Sequence, residues 1–231
     1  YGHVRFRFEF RDKLMEFYYL DTTNAIYCAM LLPILAMAGN MAFAGSKDIR
    51  DIFTLICAIL TFSCVLMILS NVGNGVTQAT SLLNIFPGVD IAFSVEPLGL
   101  LFAIIASGLW ILTHIYGVGY MRGNNEKNHA RFFACFCIAI SSVIGIAFAS
   151  NMFTLFLFYE ILTVSTYPLV AHKGTKESIR GARLYLSILI GTSIVLQLTA
   201  IIWTYVLTGT LDFTQGGILE GKVAGWIVPI L

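Results

Sequence analysis

Charge is scarce in this sequence. Lys, Arg, Asp and Glu make up 12% of 231 residues and the formal net charge is +1, so neither a nucleic-acid surface nor an acidic tail is expected. Cysteine is confined to Cys28, Cys57, Cys64, Cys135 and Cys137, with no C-x-x-C spacing and no paired histidine. That excludes a disulfide framework or thiolate metal centre and leaves them as small packing residues. No G-x-S-x-G, H-E-x-x-H, P-loop or dinucleotide fingerprint occurs, so the chain is read as no enzyme of those kinds, with no cofactor and no metal. It also lacks an initiator Met and a basic segment leading into a cleavable apolar run, so Tyr1 is not expected to mark the start of translation.

Apolar residues are what the chain has instead: 58% of the total, with a mean hydropathy of +0.82, which places it among integral membrane proteins. A crossing helix needs about 20 apolar residues. That length predicts an all-α, polytopic transmembrane bundle with spans near Ala25–Ala44, Ile52–Ser70, Pro97–Gly117, Phe132–Ala149, Met152–Ala171 and Ile179–Leu207. A seventh run begins near Val223 and reaches only half a span by Leu231, so a longer protein is expected to continue. The organisation is then residues 1–24 as an extramembrane or interfacial segment and 25–231 as an incomplete membrane domain.

The loops alternate in charge. Lys47 and Arg50 follow span one, Arg122, Lys127 and Arg131 follow span three, and Lys173, Lys176 and Arg180 follow span five, which marks those loops as cytoplasmic. The N-terminal segment then lies outside despite Arg5, Arg7, Arg11 and Lys13, against the positive-inside rule. Its "HVRFRFEFR" alternates apolar and charged residues with a period of two, which predicts a strand. "FPGVDIAFSVE" predicts a short hairpin turned at Pro87-Gly88.

Glu160 is the one carboxylate inside span five, and burying an unpaired charge there costs several kcal/mol. At 1.5 Å per residue it lies about 12 Å from Met152, too deep to snorkel. Thr163 and Tyr167 share its face, so a polar stripe is expected to face protein or water. A protonated acid bonded within the bundle is one reading; a titrating proton or cation carrier is the other. Pro168 either hinges the helix or kinks its end. His114 in span three, on one face with Ser107, is read as a relay or as an interfacial histidine on a backbone carbonyl. His172 is read as a proton receiver at the cytoplasmic edge or as a solvated loop residue. Arg183 at the start of span six is an anchor or a neighbour that tunes Glu160, and Gln197 deeper in that span is part of a polar path or a link between helices.

"VEPLGLLFAIIASGLWILTHIYGVGYM", "RFFACFCIAISSVIGIAFASNMFTLFLFYEILTVSTYPLV" and "RGARLYLSILIGTS" resemble three consecutive blocks of the antiporter-like subunits shared by Mrp-type cation/proton antiporters and the membrane arm of complex I. Within the Mrp antiporters the wording is most similar to the D-type subunits, in their N-terminal half only. The resemblance implies a proton-translocating subunit of a monovalent cation/proton antiporter in a bacterial inner membrane. Its partners would be other membrane subunits, lipid, protons and Na+ or K+. Tyr159-Glu160 matches the family's aromatic-glutamate pair; the lysine that the family pairs with it on the seventh span would fall after Leu231. Many members carry a lysine where this chain has Arg183, and arginine does not release protons at physiological pH. The alternatives are a proton-pumping subunit of a complex I or hydrogenase-type redox complex, and a truncated scaffold without transport.

Overall fold

Hydrocarbon offers no hydrogen bonds, so a chain crossing it must satisfy its backbone within the segment, and helices do so. The computed structural model describes residues 2–73, 80–214, 216–219 and 221, with side chains from Thr22 onward. The order is α1 (Gly2–Ala42), α2 (Lys47–Gly73), β1 (Thr80–Phe86), β2 (Val89–Phe93), α3 (Pro97–Gly123), α4 (His129–Ala147), α5 (Met152–Val170), α6 (Lys176–Thr192), a π-helical stretch (Ser193–Leu198) and α7 (Thr199–Thr208). Six stretches are long and apolar enough to span a membrane: Thr22–Ala42, Lys47–Val72, Pro97–Gly123, His129–Ala147, Met152–Val170 and Lys176–Thr208. The polytopic bundle read from hydropathy is therefore the fold. The expected seventh run from Val223 lies outside the described residues.

One expectation is overturned. The alternating segment at the N-terminus is helical, as part of α1 from Gly2. A lone strand leaves its N–H and C=O groups unpaired unless it finds a sheet edge, whereas a helix pairs them internally, so α1 runs through residue 24 without a break. The hairpin is as expected: β1 and β2 pair antiparallel, with Phe86 opposite Val89 across Pro87-Gly88. Gly88 has φ +80°, the positive angle that the third residue of a type II turn requires, and Pro87 precedes it.

The bundle core lies among α1, α2, α3 and α4. Ala29, Ala36, Ala58 and Ala103 are fully buried, small residues that let backbones approach. Trp110, Val65, Ile68, Ile144 and Phe148 fill the remaining space. A Cβ on Gly99 would run into the carbonyl of Ala147, and one on Gly145 into the ring of Phe158, so glycine sets the closeness of α3 and α5 to α4. Polar links join the same helices: Ser141 Oγ donates to the Met30 carbonyl at 2.8 Å, and Asn71 Nδ2 to Thr22 Oγ1 at 3.0 Å.

The hairpin staples the end of the bundle opposite the basic loops. Asn151 caps α5 by accepting from the Thr154 N–H at 2.7 Å and donates to the Asp90 carbonyl at 3.0 Å and side chain at 2.9 Å. Thr154 Oγ1 accepts from the Ala92 N–H at 3.0 Å. Asn151→Ala removes a cap worth about 1 kcal/mol and a buried hydrogen bond worth about 1 more. We expect a lower thermal midpoint for the full-length protein in detergent, equivalent to about 2 kcal/mol.

Candidate functional site

Asn151 fixes where α5 starts, and thereby the depth of every residue on it. Glu160 is half-buried, about 12 Å along the helix, and its Oε1 is buried with no hydrogen-bond partner among the described residues. Two residues before it, the Phe158 ring rests 5.7 Å from that of Phe93 on β2 and against Gly145 of α4, which holds α5 in rotation at this level. Thr163 is buried and Tyr167 half-buried on the following turns, so the expected stripe exists. Among the described residues no hydrogen bond joins either of them to Glu160; Thr163 instead offers its carbonyl to Thr166 Oγ1 at 2.7 Å. Pro168 lies inside α5, two residues before its end.

The sixth span, Lys176–Thr208, packs mainly on α5 and leaves most of its surface open. Arg183 is exposed on α6. Gln197 is half-buried in the π-helical stretch Ser193–Leu198, where each turn takes an extra residue. No hydrogen bond or ion pair among the described residues brings Arg183 or Gln197 to Glu160.

His114 is 2% exposed. Its Nε2 lies 3.0 Å from the Asp51 carbonyl oxygen, and since a carbonyl only accepts, Nε2 carries the proton and Nδ1 keeps a lone pair. That Nδ1 is buried without a partner among the described residues. The ring stands edge-on to Phe133 at 5.0 Å. Ser107, expected on the same face, is buried but bonds back to the Ala103 carbonyl of its own helix at 2.6 Å.

Beside His114 lies a charged cluster that hydropathy missed. Arg50, read from sequence as a loop charge, is 2% exposed because α2 begins at Lys47 and not near Ile52. Its Nε donates to Asp51 Oδ1 at 2.8 Å, while Arg122 Nη2 of α3 donates to Asp51 Oδ2 at 2.6 Å and Arg122 Nη1 reaches Asp48 at 2.8 Å. One turn deeper, Asn40 Nδ2 donates to Thr54 Oγ1 at 2.9 Å, and Thr54 to the Arg50 carbonyl at 3.0 Å. The sequence signal was "KDIRDIF", where Asp48 and Asp51 fall one turn apart on a helix face.

His172 follows α5 in the turn toward α6. Its Nε2 is 3.7 Å from Glu126 Oε2, and burial lowers its pKa from the ordinary histidine value, with Glu126 partly opposing that shift. The site therefore offers a mid-span carboxylate and, toward the basic-loop end, two imidazoles with free lone pairs. Such groups hold and pass protons.

The family described as "NADH:quinone oxidoreductase/Mrp antiporter, TM" matches residues 149–224, and that described as "NADH-Ubiquinone oxidoreductase (complex I), chain 5 N-terminus" matches residues 87–133. The A1 subunit of a Na(+)/H(+) antiporter from Staphylococcus aureus (strain bovine RF122 / ET3-1) is 27% identical over 165 residues, which are 69% of this chain and 20% of that protein. Among solved structures, the Mrp complex from Dietzia sp. DQ12-45-1b aligns with a TM-score of 0.64 and 19% identity over 86% of this chain and 21% of that one. The membrane-bound sulfane sulfur reductase, an archaeal respiratory membrane complex, aligns at 0.66 and 18% over 80% of this chain and 28% of that one. The chain thus spans well under a third of the length of each of these proteins. The staphylococcal relative is of the A type, and the finer likeness to the D type gains no support from it.

Proposed function

Because the chain belongs to the antiporter-like membrane subunits common to Mrp antiporters and complex I, we propose that it translocates protons in a multisubunit monovalent cation/proton antiporter, with Glu160 as the group that titrates. The observation that carries this reading is the buried, unpartnered Oε1 of Glu160 at mid-span. A purely structural acid at that depth would be expected to bond to the bundle around it.

Glu160 binds a proton when its surroundings favour the neutral acid and releases it when a cation approaches. Carrying one charge across the membrane is worth about 2.3 kcal/mol per 100 mV, close to the free energy of two pKa units at about 1.4 kcal/mol each. A modest rearrangement near Glu160 therefore suffices to couple proton and cation movement. The basic group that biases it comes from a neighbouring span or another protein of the complex; the open face of the sixth span, with Arg183 and Gln197, leaves room for such a neighbour. Thr163 and Tyr167 extend the polar path along α5, and His114 relays protons at the end that the basic loops mark as cytoplasmic. Residues 1–24 act outside the hydrocarbon core, and the membrane is a bacterial inner membrane.

The test is cation-driven proton flux in vesicles holding the full-length protein with its partner subunits, wild type against Glu160→Gln. Unchanged flux with normal assembly overturns the proposal. A redox-driven pump is the second reading, favoured by the complex I description of the family matching residues 87–133. Co-purification with iron–sulfur or flavin subunits would select it, whereas small membrane subunits on their own would select the antiporter.

A further inference from the structure

A cavity of about 440 Å³ opens at the basic-loop end of the bundle, walled by α3, α4, the end of α5 and the start of α6. His114, His172, Glu126, Thr113 and Lys173 contribute its polar wall, and the rest is mostly aromatic and aliphatic. The two imidazoles are set on adjacent rings of α4: His172 stands 5.2 Å from Phe132, and His114 5.0 Å from Phe133. His114 Nδ1 and both ring nitrogens of His172 are buried without hydrogen-bond partners among the described residues.

Buried polar atoms are almost always satisfied by protein or by ordered water, and at about 30 Å³ per molecule this cavity has room for on the order of ten waters. The 3.7 Å from His172 Nε2 to Glu126 Oε2 exceeds a direct hydrogen bond and fits a shared water. Among the described residues, Glu126 is the only carboxylate in the cavity wall. Hard metal cations are held by several oxygen ligands, so this lining suits proton transfer better than a bare cation.

We infer that the cavity is a water-filled proton inlet in which His172 and Glu126 collect protons at the mouth and His114 receives them at the inner wall. This rests on the reading of the chain as a proton-translocating protein. The charges around each histidine agree with such roles. His172 is faced by Glu126 from the α3–α4 connection, by His129 and Arg131 from α4, and has Lys173 beside it. The cations disfavour a fixed imidazolium, and burial does the same, so a captured proton is passed on. His114 is faced by Asp51 and Arg50 from α2 and by the uncharged Phe133 from α4. Its Nε2–H is held by the Asp51 carbonyl, which leaves Nδ1 to accept.

Inside-out vesicles holding the full-length protein and its partner subunits expose this face to the bath. With His172→Ala, flux should fall by at least about tenfold near pH 8, where free protons are few and a collecting group matters, and little near pH 6. Millimolar imidazole in the bath should restore it, because the cavity admits the ring that the variant lacks. His172→Gln, which keeps the bulk but does not titrate, should behave alike. Loss that is equal at both pH values and indifferent to imidazole would make His172 structural and overturn the inlet. Full flux at every pH for both variants would overturn it too. If Glu160→Gln in the same preparation abolishes flux while the His172 variants keep theirs, the inlet alone falls; if Glu160→Gln is also inert, the reading beneath it falls as well.

Discussion

Cation-driven proton flux should drop about a hundredfold in Glu160→Gln. Without a titrating group at mid-span, a proton must cross that depth as an uncompensated charge, at about 2.5–3.5 kcal/mol even on the lenient insertion scale, and each 1.36 kcal/mol is tenfold in rate. The fold should survive. Glu160 Oε1 makes no hydrogen bond that glutamine would lose, and the amide removes a charge from an apolar setting. Glu160→Asp is the informative companion: it keeps the carboxyl but shortens its reach by one methylene, so flux should be reduced and not abolished. Vesicle flux at matched protein content checks both variants, and thermal midpoints in detergent check assembly. A Gln variant that lost flux and stability together would point to a structural acid.

The spans were legible because hydrocarbon thickness imposes a length that few sequences match by accident. Met152–Val170 lies within one residue of the run read from composition, and Pro87-Gly88 announced the hairpin through backbone geometry alone. Glu160 was legible for the same reason: a carboxylate in an apolar run is conspicuous. The N-terminus misled because a period of two is visible in "HVRFRFEFR" while the absence of a strand to pair with is not, and a helix needs no such partner. The cluster of Arg50, Asp51 and Arg122 was missed for the opposite reason. Hydropathy trims charged residues from a span's end, so Asp51 and Arg50 were assigned to solvent, although α2 carries them into the interface with α3. The partly buried position of His172 depends on Phe132 and on the turn after α5, which a linear reading sees as loop.

Asp51 is where that cluster should prove most sensitive. Its carboxylate holds Arg50 on one oxygen and Arg122 on the other, and its carbonyl orients His114. Arg50 is 2% exposed, so Asp51→Ala leaves a guanidinium buried without its counter-charge, a change that typically costs about 3–5 kcal/mol. Asp48 offers the contrast: it also binds Arg122, but its side chain is 82% exposed, and Asp48→Ala should cost no more than about 1 kcal/mol. The expected order of thermal midpoints in detergent is wild type, then Asp48→Ala close below, then Asp51→Ala far below with poor yield. Replacing both members of the buried pair, Arg50→Met with Asp51→Leu, should recover much of the loss, since the penalty comes from stranding one charge and not from lacking two. The recovered protein would also separate stability from function. Residue 51 keeps its backbone carbonyl in the double variant, so His114 retains its bond and proton flux should persist wherever the fold does.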